Sequence, residues 1–214
     1  MMYIVLLFTS IVVLASALPP SPLSQRDTCT PKTFSFEDPP NGEELFNYYS
    51  ELRFVDLRPK DLSGLATIRP KNGDKVIAVD FELPVNLPVV NGLFEHHIGS
   101  IAVRQNGSPP FNYKSFVPYM GYFACSSNGK AVGCTVRATG RSKAGGLVMK
   151  WEKSFKPTAD QGQEMAVYTF YTPNELNNRL GGIEFTIIEV DTSVVSLQTI
   201  TFYFDQFSLT GCDS

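Results

Sequence analysis

Residues 115–139 read SFVPYMGYFACSSNGKAVGCTVRAT, two strand-like runs joined by a turn signal. Runs rich in β-branched and aromatic residues and bounded by Gly and Asn are typical of strands. A two-residue turn at Gly129-Lys130, with Gly in the first position that a type II′ turn prefers, places Cys125 opposite Cys134. Cross-strand neighbours lie within reach of a disulfide. The segment therefore predicts a hairpin closed by a Cys125–Cys134 crosslink.

A second turn is compatible with the same residues. Asn128-Gly129 has stronger local turn chemistry, but a two-residue turn there places Cys125 opposite Val132. A four-residue loop would restore the pairing of Cys125 with Cys134. The crosslink is thus predicted, whereas the turn type stays open between these alternatives.

The hairpin register also predicts which side chains share a face. On the side of Cys125 lie Phe123, Val136 and Ala138, which we interpret as core. The opposite side is half polar and half aromatic, with Tyr122 directly across from Arg137, and we expect it to be an exposed sheet face. Its members are Met120, Tyr122, Arg137, Thr139 and Arg141.

Alternating β-branched and aromatic runs continue along the rest of the chain, and helical periodicity is almost absent. The last run, 199–209, carries aromatic residues on both faces, so we expect it to be a central strand covered on both sides or to be bulged near Asp205. The pattern predicts an all-β fold, a jelly-roll-like β-sandwich of two antiparallel sheets with about ten strands. The predicted strands are 33–36, 51–56, 75–83, 98–105, 115–124, 133–139, 146–153, 164–172, 183–191 and 199–209.

The composition excludes several classes of protein. The chain has 214 residues, of which 43% are hydrophobic, 12% aromatic and 18% charged, which argues against global disorder. Its 18 Lys and Arg residues against 21 Asp and Glu residues give a net charge of −3, which provides no general electrostatic basis for binding nucleic acid.

The N-terminus has the pattern of a secreted protein. Residues 3–17 form an apolar run that ends in Ala15-Ser16-Ala17, which is typical of a cleaved signal peptide although no basic residue precedes it. We therefore expect a signal peptide over 1–17, a possible pro-segment or flexible tail over 18–26, and a single β-sandwich domain over 27–214. After cleavage we expect no membrane segment.

The four cysteines fit an oxidising compartment. An even number of cysteines in a secreted chain implies disulfides. If Cys125 pairs with Cys134, then Cys29 and Cys212 pair by elimination and connect the two ends of the predicted domain. Zinc is the rival interpretation, but the spacing lacks the CxxC pattern and the nearby histidines that a zinc site requires.

Two terminal segments resemble a known group of proteins. The sequence FSFEDPP at 34–40 and the sequence FYFDQFSL at 202–209 form a frame similar to that of secreted fungal β-sandwich proteins. The frame is more distantly similar to carbohydrate-binding modules of the galactose-binding jelly-roll type, and segment 116–157 also resembles the fungal group. The resemblance implies a jelly roll whose first and last strands are neighbours, as the Cys29–Cys212 disulfide requires. Such proteins include glycan binders, enzyme accessory modules and secreted proteins of pathogens.

The resemblance also implies a metal site. Glu37, Asp38 and Asp205 converge if the first and last strands adjoin, and in the resembled modules such a place often holds a structural Ca²⁺, which takes six to eight oxygen ligands. The simpler alternative is that Glu37 and Asp38 begin a turn and that Asp205 accepts hydrogen bonds from local backbone N–H groups.

The predicted exposed face suggests a ligand site. Tyr122 could support a sugar ring, while Arg137 and Arg141 reach hydroxyl or carboxylate oxygens beside Thr139. The alternative is an ordinary solvent-facing sheet. In addition, Asn106-Gly107-Ser108 is an acceptor sequence for N-glycosylation, although Pro109 directly after it lowers its use.

Catalytic patterns are weak by comparison. No Gly-x-Ser-x-Gly sequence is present, and the cysteines are assigned to disulfides. Asp80 and Glu82 lie two apart on one predicted strand face, about 7 Å along it, and are the best acid–base candidates. Most such pairs are merely solvated, so we expect no catalytic residue.

The sequence therefore favours a secreted, monomeric, non-catalytic protein that binds a cell-wall glycan, a host glycan or a host surface protein, as a secreted effector would. The alternatives are a jelly-roll polysaccharide lyase or glycoside hydrolase, and a structural protein of the cell wall or surface. Apart from a possible structural Ca²⁺, no cofactor is implied.

Overall fold

The computed structural model describes residues 29–37, 52–64, 67–82, 95–103, 113–159, 162–170, 179–191 and 199–213. These residues form fourteen β-strands, numbered in chain order. The strands are β1 (Cys29–Phe34), β2 (Leu52–Val55), β3 (Arg58–Asp61), β4 (Ile68–Arg69), β5 (Lys75–Glu82), β6 (His96–Val103), β7 (Ser115–Ser127), β8 (Lys130–Ala131), β9 (Cys134–Arg141), β10 (Leu147–Phe155), β11 (Gln163–Glu164), β12 (Ala166–Thr169), β13 (Gly182–Val190) and β14 (Thr199–Cys212).

The strands build a jelly-roll-like sandwich of two antiparallel sheets, as the alternating pattern predicts. The seven-stranded sheet has the order β12-β7-β14-β5-β3, with β1 added beside β14 and β8 beside β7. The five-stranded sheet has the order β10-β9-β13-β6-β2, and β11 and β4 form a separate two-stranded sheet. Within the described part of the chain, no helix has the length and apolarity needed to cross a bilayer.

The last strand, β14, organises the seven-stranded sheet. Along one edge it pairs with β7 over most of its length. Along the other edge its first half pairs with β5 and its second half with β1, where Cys29 faces Cys212. The first and last described strands are therefore neighbours, and the Cys29–Cys212 disulfide joins them as predicted.

β14 is bulged near Asp205, which is one of the two predicted alternatives; it is also paired on both edges, but its outer face is only partly covered. The register shifts between Asp205 and Ser208, and Gln206 adopts a positive φ of 48°. This extra residue lets Phe202 and Phe204 before the bulge and Phe207 after it all remain fully buried. The Phe185 ring of the five-stranded sheet lies 5.2 Å from the Phe204 ring, so aromatic contacts join the two layers.

The turn after β7 is the Asn128-Gly129 turn, the alternative with the stronger local turn chemistry. Ser127 pairs with Lys130, so the two turn residues are Asn128 and Gly129, with φ values of 48° and 72°. Two positive φ angles define a type I′ turn, for which Asn-Gly is strongly preferred. The predicted type II′ turn at Gly129-Lys130 is wrong, and the backbone N–H of Val132 donates to the carbonyl of Cys125.

The Cys125–Cys134 disulfide is present, but it does not close a hairpin. Cys125 belongs to β7 in the seven-stranded sheet, and Cys134 begins β9 in the five-stranded sheet. The chain leaves the first sheet after the short strand β8 and enters the second at Cys134. The crosslink therefore connects the two layers of the sandwich.

This crossing overturns the predicted pairing of Tyr122 with Arg137. Tyr122 pairs with Asp205 and Val167 in the seven-stranded sheet. Arg137 pairs with Glu152 and Thr186 in the five-stranded sheet. The predicted core residues Phe123, Val136 and Ala138 are nevertheless all fully buried, because both strands turn the Cys125 side of the pattern toward the interior.

Short strands account for most other differences from the predicted set. The predicted strand 164–172 is divided between β11 and β12, which belong to different sheets. β3, β4 and β8 were not predicted, since segments of two to four residues show little alternation.

Tyr168 connects the layers from the interior. It extends from β12 of the seven-stranded sheet, and its hydroxyl accepts a hydrogen bond from the backbone N–H of Ala138 at 3.0 Å. The same hydroxyl lies 2.8 Å from the carbonyl oxygen of Trp151, to which it donates. It thus sits between directly paired residues of β9 and β10. Burial raises the pKa of Tyr168, so the hydroxyl stays protonated.

We expect Tyr168→Phe to lower the free energy of unfolding by about 1–3 kcal/mol, because it leaves a buried N–H and a buried carbonyl without their partner. Urea unfolding of the purified chain measures this loss. Tyr119→Phe is the matched control, since its partly exposed hydroxyl should contribute no more than about 0.5 kcal/mol. Equal effects of the two changes would contradict the role given to Tyr168.

The two disulfides should contribute unequally to stability. The Cys29–Cys212 pair closes a separation of 183 residues and the Cys125–Cys134 pair one of 9. Chain entropy then assigns at most about 5 kcal/mol to the first and about 2.5 kcal/mol to the second. Replacing each pair by serines and comparing the melting temperatures tests this order, and a larger loss from the short loop would refute it.

Candidate functional site

The residues predicted to bind a ligand lie on opposite outer surfaces. Arg137, Thr139 and Arg141 alternate along β9 and share the outer face of the five-stranded sheet. Tyr122 lies on the outer face of the seven-stranded sheet. The structure therefore brings three of the four residues together and separates the aromatic ring from the two guanidinium groups.

The arginines on the five-stranded face are engaged by acidic neighbours. The Arg137 Nε donates to Glu152 Oε1 at 2.8 Å, and Arg137 Nη1 pairs with Glu95. Hydrogen bonds to these carboxylates raise the pKa of Arg137. The Arg141 Nε lies 2.7 Å from Glu184 Oε2. These donors are already partnered, which leaves them less available for a ligand.

The outer face of the seven-stranded sheet carries the exposed ring of Tyr119 and the partly buried ring of Tyr122. Tyr119 is 37% exposed. Val167 is 41% exposed and lies directly opposite Tyr122 on the neighbouring strand β12. We call Tyr119, Tyr122 and Val167 the tyrosine patch. The register of β7 shifts next to Tyr119, opposite the bulge of β14, and this second irregularity turns Tyr119 to the same face as Tyr122.

Both rings of the tyrosine patch are held in place. The Tyr119 hydroxyl hydrogen-bonds the Thr210 hydroxyl at 2.8 Å. The Lys71 Nζ lies 5.5 Å from the centroid of the Tyr122 ring, within range of a cation–π contact. Both tyrosines belong to β7, which pairs with β12 on one edge and with β14 on the other, so the rings project from a strand that is held on both sides.

A buried carboxylate lies where β14 changes partners from β5 to β1. Asp205 is fully buried, and its Oδ2 accepts backbone N–H bonds from Lys71 at 2.8 Å and Asn72 at 3.2 Å. Its Oδ1 accepts the N–H of Gln206 at 2.7 Å. Burial raises the pKa of Asp205 to about 6, the hydrogen bonds oppose the rise, and the nearby Glu37 adds to it.

Glu37 completes this junction from the end of β1. Its Oε1 accepts the backbone N–H of Lys75, and its carbonyl accepts the Lys75 ammonium at 2.9 Å. Gly73 has a positive φ of 53°, and a Cβ there would lie 2.2 Å from the Glu37 carboxyl group. The turn over 70–74 can therefore cover Asp205 and Glu37 only with glycine at this position.

The junction does not fit the calcium site that the sequence resemblance implies. Glu37 and Asp205 approach each other, and Asp38 lies outside the described residues. Among the residues that are described, no group of three metal-binding side chains occurs. The oxygens of Asp205 face backbone N–H donors, whereas Ca²⁺ requires six to eight oxygen ligands. The geometry matches the simpler alternative of a hydrogen-bonded carboxylate.

Other candidate side chains are also engaged. Asp80 Oδ1 accepts from the Thr201 hydroxyl and from Lys60 Nζ. His96 stacks on Phe81 with ring centroids 4.5 Å apart, and burial lowers its pKa. The glycosylation sequence at Asn106 lies outside the described residues.

The described surface has several concavities, among them a cleft at one end of the sandwich and a pocket on an outer face. A cleft of about 670 Å³ lies at one end of the sandwich between the start of β9 and the ends of β10 and β13, with a floor that includes the buried Val132 and Phe155. A smaller pocket of about 320 Å³ lies on the outer face of the seven-stranded sheet, where Tyr203 and Thr201 of β14 meet Lys60.

Comparison with known proteins finds likeness at low levels only. No family model matches the chain, and no curated protein matches it. A DUF4465 family protein from Bacteroides caccae ATCC 43185 is 14% identical with a TM-score of 0.46, and the match covers 87% of this chain and 94% of that one. A CBM4 structure is 10% identical with a TM-score of 0.32, covering 75% and 94%.

The capsid protein VP2 in the subviral particle of infectious bursal disease virus is 8% identical with a TM-score of 0.37, and the match covers 91% of this chain and 37% of that one. Since every one of these TM-scores is below 0.5, these likenesses assign no function to the chain.

The raised pKa of Asp205 predicts a specific dependence of stability on pH. The folded state binds the Asp205 proton more tightly than the unfolded state does. The stability that this proton contributes is therefore fully present below pH 3.8 and is lost as the pH rises through about 6. We expect the native chain to become more stable relative to Asp205→Asn as the pH falls from 7.5 to 4.5. The gain in relative unfolding free energy should be at most about 3 kcal/mol.

Urea unfolding of both forms across this range measures the shift. Glu37 is the charged side chain that acts on Asp205, whereas Lys71 contacts it through its backbone N–H and Lys75 bonds to Glu37. The difference between the two forms cancels titrations that they share. A flat difference, or one that favours the native chain at high pH, would contradict the assignment.

Proposed function

We propose that the chain is a secreted, monomeric, non-catalytic binding protein that holds an extracellular glycan against the tyrosine patch. The single observation that carries the proposal is the pair of Tyr119 and Tyr122 on one rigid outer face, with the exposed Val167 beside Tyr122. The apolar C–H face of a sugar ring packs on an aromatic ring, and tyrosine offers an apolar body with a polar tip.

Hydroxyl groups lie next to Tyr119 on the same face. Thr210 is bonded to Tyr119, and the Ser208 hydroxyl two residues earlier on β14 hydrogen-bonds the Thr33 hydroxyl at 2.9 Å. Each hydroxyl has one donor and two acceptor positions, so each retains capacity after one hydrogen bond. An aromatic platform with hydroxyl neighbours suits a neutral glycan better than a charged ligand.

Two further observations support secretion. The apolar segment over 1–17 has the form of a signal peptide, with a possible pro-segment over 18–26 and one domain over 27–214. All four cysteines form disulfides, which persist in oxidising compartments. A cell-wall or host glycan in the extracellular space is then the accessible ligand.

The patch itself favours binding over catalysis. A glycoside hydrolase needs two accessible carboxyl groups on either side of the scissile bond. Asp205 is the carboxylate paired with Tyr122 in the strand register, but it is fully buried and its oxygens accept backbone N–H groups. It therefore cannot reach a glycan held on the tyrosine rings.

The test is affinity electrophoresis and pull-down of the full chain, expressed through a eukaryotic secretory pathway, on a panel of insoluble and soluble wall and host polysaccharides. We expect retention on at least one glycan, and we expect Tyr119→Ala with Tyr122→Ala to weaken it about 10- to 30-fold, the loss of about 1–2 kcal/mol of ring contact. Tyr122→Phe keeps the ring and should retain most of the binding.

The matched control lies on the other outer surface. Arg137→Ala with Arg141→Ala should leave glycan retention within about twofold, because these residues lie on the five-stranded sheet. Loss of binding in this pair with no loss in the tyrosine pair would move the site to the arginine face. Retention on no polysaccharide, with capture of a host surface protein instead, would remove the glycan proposal.

A further inference from the structure

A second site lies on the same outer face as the tyrosine patch. The pocket of about 320 Å³ between Tyr203, Thr201 and Lys60 is small for a ligand site, where volumes run from about 300 to 1,000 Å³. Half of its lining residues carry a hydroxyl group, although most of the surface that they present is apolar. We call it the hydroxyl pocket, and its hydroxyl-bearing residues are Thr67, Ser126, Thr199, Thr201 and Tyr203.

Lys60, Leu62, Thr67 and Ile68 form one wall of this pocket. Lys60 belongs to β3, which pairs with β5, and the Thr67 hydroxyl donates to the Gly129 carbonyl of the Asn128-Gly129 turn at 2.7 Å. Leu62 and Ile68 line the pocket and are almost fully buried. The wall is therefore a fixed part of the fold, with apolar groups among the hydroxyls.

Hydrogen bonds inside the pocket orient its hydroxyls. Ser126 and Tyr203 bond to each other at 2.8 Å, so one of their two hydrogens remains to be donated elsewhere. The Thr67 and Thr201 hydroxyls donate to Gly129 and Asp80, and their oxygen lone pairs remain as acceptors. The pocket thus offers both acceptors and a donor, which matches the hydroxyl groups of a polyol.

The charges at the pocket disfavour an ionic ligand. Lys60 is a cation in the lining, and its Nζ lies 3.3 Å from Asp80 Oδ1 and 5.6 Å from the centroid of the Tyr203 ring. The Lys60 ammonium would repel a bound cation, and its ion pair with Asp80, which lies outside the lining, offsets its attraction for a bound anion. A neutral ligand therefore suits the pocket better than either ion.

We propose that the hydroxyl pocket binds one neutral sugar unit. The volume fits a single ring, the apolar wall of Leu62 and Ile68 suits its C–H groups, and the hydroxyls match its oxygens. The inference rests on the proposed function, because the sugar unit would be the terminal unit of the glycan that binds the tyrosine patch. The pocket therefore selects a chain end, whereas the patch is open to internal units.

The test is titration of the isotopically labelled full chain with free neutral monosaccharides, namely the methyl glycosides of glucose, galactose and mannose together with xylose and arabinose, followed by amide NMR. We expect saturable shifts at Thr67, Gly129 and Thr201 with at least one of them. Thr201→Val and Thr67→Val should each weaken this binding about tenfold, because each removes a hydroxyl from the pocket and preserves the β-branched shape.

The control is Thr186→Val, the same change on the outer face of the five-stranded sheet, which should leave the titration unchanged. Unperturbed amide spectra of the variants outside the pocket show that they are folded. If none of the monosaccharides produces a saturable shift at these amides, the proposal is overturned. Binding of phosphate or glucuronate that is lost in Lys60→Met would likewise overturn it, by showing an anion site.

The two proposals can fail separately. Polysaccharide retention without any monosaccharide titration would leave the tyrosine patch standing and remove the sugar pocket. A monosaccharide titration without polysaccharide retention would support the pocket and remove the patch. If both hold, Tyr119→Ala with Tyr122→Ala should lose polysaccharide retention and keep the monosaccharide shifts.

Discussion

The fold depends on the pairing of the single strand β14 with two different strands along one of its edges. β5 pairs with its first half and β1 with its second half, and the backbone is interrupted between them at Asp205 and Gln206. The Asp205 carboxylate closes this interruption by accepting N–H groups from the turn over 70–74. The Asp205 carboxylate thereby connects the turn before β5 to the centre of the sheet, and Glu37 connects the end of β1 to Lys75 at the start of β5. The aromatic core lies on either side of the bulge held in this way.

The two outer surfaces differ in how far their polar groups satisfy one another. On the five-stranded sheet, arginines meet glutamates across neighbouring strands, so the surface is neutralised within itself. On the seven-stranded sheet, the exposed positions include tyrosines, threonines and serines, whose hydroxyls keep free lone pairs after one hydrogen bond. This contrast directs the functional interpretation to the second surface.

Sequence patterns predicted the layers well and their connection poorly. Alternation indicates whether a side chain points to the core, and it correctly placed Phe123, Val136 and Ala138. It does not indicate which sheet a strand joins, so Tyr122 and Arg137 were both predicted to face outward but lie on opposite sides of the molecule. Asp205 was a sequence candidate, but its burial depends on the distant residues 71–73, and the hydroxyl pocket likewise requires Thr67 to meet Gly129 across 62 residues.

The Tyr168 hydroxyl restricts where the hairpin of β9 and β10, at the edge of the five-stranded sheet, can change in length. The hydroxyl bonds both to Ala138 of β9 and to Trp151 of β10, which are paired with each other. It therefore stabilises one register of these two strands. A shift by a single residue would exchange every inward and outward side chain of β10 and would also remove these hydrogen bonds. The connection over 142–146 is therefore the place where an insertion or deletion would leave this alignment unchanged.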